Sequence, residues 1–241
     1  MDVMSRTQKA LINLMHEQQL GDELVSVVNA RTLSADEAIG TPERSDYPIQ
    51  KGKEVMVEAT FKGFKGQAFT DQPGTLSGTL REILGHTPVS NFERAVFVAT
   101  TNAVLRSLGK IDKTIHCRDK EPGICAKQLV QYVRERFGNP KIAFIGLQPG
   151  MVAELSQVYE MRVVDLDQEN IGKRFAGVVV EPVENTPAII EWSDIILATG
   201  STSVNDSLQS LIGSRPVVFY GVTVSGLAYI NDLEQYCHCG Q

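Results

Sequence analysis

All four cysteines and two of the four histidines of this 241-residue chain fall in two short stretches, His116-Cys117 with Cys125, and Cys237-His238-Cys239. Thiolate and imidazole are ligands for zinc, copper(I) and iron–sulfur centres, and four of them complete a tetrahedral shell. The spacing, C-x7-C with C-x-C, differs from the short C-x2-4-C pairings of common zinc sites. A buried structural Cys125 and a frayed C-terminal tail therefore stand beside the metal reading. Cys125 follows Pro122 and Gly123 near the start of a predicted helix running to Phe137. There the helix dipole would lower a thiol pKa, which makes a reactive thiolate a third reading.

A second set of chemistry-bearing residues lies where apolar runs end. The run Lys141 to Ile145 passes into Gly146-Leu147-Gln148-Pro149-Gly150-Met151 and then a helical stretch with Leu155 and Val158. Glycines in such a loop let backbone N–H groups approach an anion at a helix N-terminus, although the spacing is G-x-x-x-G and not G-x-G-x-x-G. The next run ends in Asp165-Leu166-Asp167, where a dinucleotide-binding unit carries the carboxylate that holds ribose hydroxyls. Turn glycines and capping aspartates explain the same residues without a ligand. Thr199-Gly200-Ser201-Thr202-Ser203-Val204-Asn205 precedes a stretch with Leu208 and Leu211, with Thr202 or Ser203 as its expected N-cap. Tyr220-Gly221-Val222-Thr223 closes the last run, and open α/β sheets bind ligands at such an edge. Thr70 and Asp71, in Phe69-Thr70-Asp71-Gln72-Pro73-Gly74, either reach toward that crevice or form an ordinary Asx-type turn.

These loops need strands and helices to hold them. Lys141–Ile145, Arg162–Asp165, Val178–Val180, Asp194–Thr199 and Val217–Tyr220 read as strands of five βα-type units. Continuously apolar strands belong to a parallel sheet covered on both faces, so a Rossmann-like, mostly parallel, doubly wound domain is expected. Upstream, 5–17 reads as a helix stopped by Gly21, and 24–30 as a strand. Val55–Phe61 and Lys65–Thr70 read as a hairpin broken at Gly63, 34–52 as a polar stretch, and Leu76–Leu84 and Phe92–Leu108 as helices. The expected fold class is α/β, with a smaller α+β domain over residues 1–88 and the Rossmann-like domain over 89–241.

Hydrophobic residues make up 42% and charged residues 22%, an ordinary globular composition. The longest apolar runs fall far short of the about 20 residues of a membrane span. Residues 1–20 lack the apolar core of a signal peptide, so a cytoplasmic location is expected. A net charge of −6 with scattered Lys and Arg gives no footprint for nucleic acid. The expected partner is a small molecule or metal, and a homo-oligomer is compatible with the chain.

Several motifs together resemble the family described as "putative heavy-metal chelation". They are Ala68-Phe69-Thr70-Asp71 with Ser77-Gly78-Thr79-Leu80, then His116-Cys117, Glu121-Pro122 and Cys125, then Gly146 to Met151. Asp165-Leu166-Asp167, Asn170-Ile171-Gly172, Ala198 to Thr202 with Asn205, and Phe219-Tyr220-Gly221 complete the set. The resemblance covers most of the chain and implies an enolase-N-terminal-like domain joined to a Rossmann-like one, with a site between them that handles a metal or a metal-binding small molecule. The Cys237-His238-Cys239 tail departs from the family pattern, so a site built on it alone would be private to a subgroup.

Three functions follow in order. The first is binding of a metal or metal-chelating molecule through His116, Cys117, Cys125, Cys237, His238 and Cys239, with zinc, copper or iron as the ion. The second is an enzyme using a nucleotide-type cofactor, S-adenosylmethionine or a nicotinamide dinucleotide. It would hold that cofactor with Gly146, Gln148, Pro149, Gly150, Asp165, Asp167, Gly200, Ser201, Thr202, Asn205, Gly221, Thr223, Thr70 and Asp71. The third is a passive small-anion binder on the 200–205 loop. No paired general acid and base is visible in the sequence, so whether the chain is an enzyme stays open.

Overall fold

In the computed structural model, residues 2–17 and 27–241 are described. Gly21 and the first residues of the expected 24–30 strand lie outside them. Helix α1 (Val3–Glu17) buries Val3, Thr7, Leu11 and Met15, a strict every-fourth-residue face. Strands β1 (Val27–Leu33), β2 (Val55–Phe61), β3 (Phe64–Thr70) and β4 (Thr75–Thr79) form an antiparallel sheet in the order β3-β2-β1-β4. Lys62 and Gly63 join β2 to β3, both at positive φ, as a two-residue hairpin requires.

One stretch gains detail here and one expectation needs correction. The polar stretch 34–52 contains helix α2 (Ala35–Ile39), which Ser34 and Glu37 start with a reciprocal capping box, and a 3-10 turn Pro48–Lys51. Leu76–Leu84 is not one helix. Its first part is β4, paired with β1, and helix α3 (Leu80–Gly85) begins only at the Thr79–Glu82 capping box.

Helix α4 (Asn91–Ser107), capped by Ser90, lies against β2 and β3 on one side. Helix α5 (Glu121–Phe137) leads into the second sheet. Its strands are β5 (Ile142–Ile145), β6 (Met161–Asp165), β7 (Arg174–Phe175), β8 (Val178–Pro182), β9 (Ile195–Thr199), β10 (Val217–Tyr220) and β11 (Glu234–Tyr236). The order is β11-β10-β9-β5-β6-β8-β7, parallel throughout except for β7. The helices between them are α6 (Pro149–Leu155), α7 (Thr186–Trp192), α8 (Leu208–Leu211) and α9 (Ser225–Asn231).

The five expected strands are present, but not as five βα units. β6 returns to β8 through the short antiparallel β7 and no helix. The helix after Gly146 ends at Leu155, before Val158, and the stretch with Leu208 and Leu211 is a single turn.

Both faces of the second sheet are buried, as its apolar strands require. Ala143, Ile145, Ile196, Ala198 and Phe219 point into a core shared with α1, α4, α9 and the first sheet. Their alternate neighbours Ile142, Phe144, Ile195, Leu197 and Val218 point into a second core under α5 and α6. The chain enters this sheet at β5, winds outward to β8, then crosses back to β9 on the other side. This reversal leaves the carboxyl ends of β5 and β9 diverging loops, the position where open parallel sheets leave a crevice.

Candidate functional site

A cavity of about 550 Å³ occupies that position. The loops after β5, β6, β9 and β10 supply one wall; Ile39, Tyr47, Ile49, Glu54, Phe69, Thr70 and Asp71 from the first sheet and its connections supply the other. The walls are stitched directly, Phe69 N–H donating to Thr223 Oγ1 at 3.1 Å.

Of the residues expected to hold a cofactor, Gly146, Gln148, Asp165, Asp167, Ser201, Thr202, Asn205, Gly221, Thr223, Thr70 and Asp71 line this cavity. Pro149, Gly150 and Gly200 do not. Gly150 is a close-approach glycine, since a Cβ there would come within 3.0 Å of the Tyr47 hydroxyl, and Gly200 packs equally close to the Val224 backbone. Pro149 is the first residue of α6 and has no N–H to offer.

The loop chemistry fits a phosphate poorly. The Gln148 side chain already accepts the Met151 N–H, so the start of α6 is capped from within. Asp165 takes Leu147 N–H at 2.6 Å on one oxygen, and Asp167 N–H at 2.8 Å with Asn170 Nδ2 at 3.3 Å on the other. It staples the β5 and β6 loops together instead of waiting for a ribose. Asp167 in turn accepts Glu169 N–H at 3.0 Å. In the 199–205 loop the hydroxyls turn inward. Thr202 donates to Thr199 O and Ser203 to Gly200 O, both at 2.7 Å. Neither caps a helix, contrary to expectation: Thr199 caps the 3-10 turn Gly200–Ser203.

The cysteine stretches do converge. The tail is not frayed: Thr114 and Ile115 N–H donate to Gln241 O at 2.8 and 2.7 Å, and Gln241 N–H returns to Ile115 O at 2.9 Å. His116, Cys117, Cys125 and Cys237 line the cavity, Cys239 stands beside them off its wall, and His238 is exposed. The His116 N–H is held by Gln67 Oε1 at 2.8 Å, and its Nδ1 donates to Cys117 O at 2.6 Å, which leaves Nε2 as the acceptor nitrogen. Burial holds this imidazole below the usual histidine range.

Cys125 is lowered to about 6, chiefly because the Cys117 thiol donates to it, with the His238 and Cys239 N–H groups adding to this against burial. Cys117 is raised by the same hydrogen bond and by burial. Burial pushes Cys237 up to about 12. The donor set is soft and suits zinc or copper(I). Among the described residues, no group of three or more His, Cys, Asp or Glu side chains is arranged to hold an ion.

Sequence reasoning missed Glu54 and Tyr47, and gave Tyr220 only as the end of a strand and part of a motif. Tyr220 donates to Gly146 O at 2.8 Å beneath the cavity floor. Burial raises Glu54 from near 4.5 to about 7, and Asp165 and Asp71 add to the shift. Between those values the folded state binds more protons than the unfolded one, so stability falls as pH rises through this window. Glu54→Gln is expected to flatten that slope. Near pH 8 it should recover on the order of 2 kcal/mol, after allowing for water in the cavity, read from denaturant midpoints at pH 5 and 8.

Residues 128–231 match the family model DUF364, described as putative heavy-metal chelation. No curated protein matches the chain. A protein of unknown function from the DUF364 family of Pyrococcus horikoshii superposes with a TM-score of 0.55 at 18% identity, covering 92% of this chain and 79% of that one. A second, from Desulfitobacterium hafniense, gives 0.50 at 13% identity over 74% and 73%. At these identities the likeness is one of fold: mixed α/β with one mostly parallel sheet. Among the described residues no helix is long and apolar enough to cross a membrane. The strand-end loops lie inside the matched stretch and all four cysteines outside it. The family resemblance carried by the sequence motifs is thus met by a family model over residues 128–231, and that stretch of the chain is similar to DUF364.

Proposed function

We propose that the protein binds a soft metal ion carried by a small organic chelator, with the metal as cargo held by the Cys117 and Cys125 thiolates and the chelator filling the cavity. One observation carries this reading: three of the four cysteines and His116, from segments over 100 residues apart, meet on the wall of one 550 Å³ cavity. That volume suits a small organic molecule, and a bare ion would leave most of it empty. The mainly apolar lining would take the chelator's body, and the two sulfurs would give its metal a soft anchor.

In this reading residues 1–88 act as an enolase-N-terminal-like wall and 89–241 as the Rossmann-like ligand-binding domain, working in the cytoplasm. The family description of the 128–231 stretch points the same way.

Cobalt(II) titration of the reduced protein tests the anchor, because thiolate ligation gives an intense near-ultraviolet charge-transfer band. The wild type is expected to show the band. Cys117→Ser and Cys125→Ser should each lose most of it, and His238→Ala, at an exposed position, should keep it. A wild type without the band, or serine variants that retain it, would overturn the reading.

A further inference from the structure

The cavity has a second chemical end, which the thiols do not share. Glu54 stands just before β2, and the charges that act on it are Asp71, after β3, and Asp165, at the end of β6. Tyr220, from β10, is the other titratable group facing it. The cation next to it in sequence, Lys53, is engaged with Glu169 at 2.7 Å. No hydrogen bond is among the influences on the Glu54 carboxyl, although the residue lines the cavity.

Asp165 is the opposite case, held on both oxygens by three donors. Asp71 is exposed and accepts from Asn91 Nδ2 at 2.8 Å. One carboxylate is thus fixed by the loops, and a second, on the cavity lining, has no hydrogen-bond partner among the described residues. Neighbouring carboxyl groups held in such different surroundings divide into a fixed charge and a proton carrier. A group of this kind that a ligand can reach is placed for acid–base work.

We propose that Glu54 is the acid–base group of this cavity, passing its carboxyl proton to a basic oxygen or nitrogen of the molecule bound there. The Glu54 O–H bond breaks and an O–H or N–H bond forms on the ligand. Glu54 is left as a carboxylate and recovers a proton from water when the ligand departs. Burial, with the neighbouring Asp165 and Asp71 adding to it, keeps the proton on Glu54 until a ligand takes it. This proposal uses none of the cysteines, so it stands or falls separately from metal binding.

A small diazo compound, 2-diazoacetamide, tests it on the whole protein without knowledge of the natural ligand. For ester formation the diazo carbon takes its proton from the acid form of a carboxyl group and not from a carboxylate, and peptide mapping separates this ester from any thioether on cysteine. The carboxylate left behind then forms a C–O bond to that carbon as dinitrogen leaves, which adds an ester of fixed mass. Peptide mapping is expected to place the ester on Glu54, ahead of exposed carboxylates such as Glu135. Labelling should run about tenfold faster at pH 6 than at pH 8. Asp71→Asn, at an exposed position, should move the midpoint of that profile to lower pH, and Glu54→Gln should abolish the label. Labelling of Glu54 no faster than of surface carboxylates would overturn the proposal. So would labelling of Glu54 as fast at pH 8 as at pH 6.

Discussion

Asn102→Ala is expected to lower the free energy of unfolding by about 3–5 kcal/mol, read as a shift in denaturant midpoint at constant slope. Asn102 is fully buried in α4, where a polar side chain is costly unless satisfied. Its Nδ2 group donates to Gln67 O in β3 and to Val222 O and Thr223 O after β10, each at 3.1 Å. Its Oδ1 accepts Gly226 N–H of α9 at 2.7 Å. One amide thus ties the first sheet to a cavity loop of the second. Alanine leaves a backbone N–H and its carbonyl partners in the core without water to replace the lost bonds. Asn102→Asp is expected to be at least as damaging, because a carboxylate would face three carbonyl oxygens and bring an unpaired charge inside. An Asn102→Ala protein within about 1 kcal/mol of wild type would mean that these bonds carry little of the fold.

Gly66→Ala should cost about 3 kcal/mol or more, or prevent folding at 37 °C altogether. A Cβ at this β3 position would overlap Ala99 O and lie 2.5 Å from Ala103 N and 2.7 Å from Asn102 Cβ. Two of these atoms are backbone of α4, so no side chain can swing aside to relieve the overlap. The helix would have to lift off the sheet over its central turns, breaking the Asn102 bonds as it went. Thermal unfolding would show this as a large drop in midpoint. Gly63→Ala, whose Cβ meets nothing within 4 Å, is the control: there the strain comes only from a φ of +82°.

The two substitutions also mark what a reader of the sequence can and cannot find. β5, β9 and β10 were legible because both faces are buried, which leaves unbroken apolar runs such as Ile195 to Ala198. β7 and β11 were not, because Arg174-Phe175 and Glu234-Gln235-Tyr236 are short and mostly polar edge strands. Leu76, Leu80, Ile83 and Leu84 mimic helical spacing across a strand–helix junction. The signal that separates the two is Thr79 three residues before Glu82, a capping box that marks where the helix starts.

At the site, the loops after the strands could be found because the strand ends of an open parallel sheet leave a crevice, and these loops line the cavity there. The meeting of the cysteine stretches was visible only as clustering. Glu54 had no signal at all. A glutamate after a lysine in a polar stretch looks like surface until the topology sets it opposite Asp165.

Helix α4 has one further consequence. β2 and β3 grip it on one side, α9 meets it on another, and its apolar side chains belong to the same core as alternate residues of β5, β9 and β10. The two walls of the cavity are thus jaws without a hinge, since swinging them apart would pull this core open and expose Ala, Val and Phe side chains to water. A guest would then enter past the short loops of the rim, where Leu166 is an exposed lining residue and Lys53, also on the lining, pairs with Glu169 at 2.7 Å. Capture of a ligand should leave the radius of gyration unchanged and appear instead as slowed hydrogen exchange in the 48–54 and 166–173 segments.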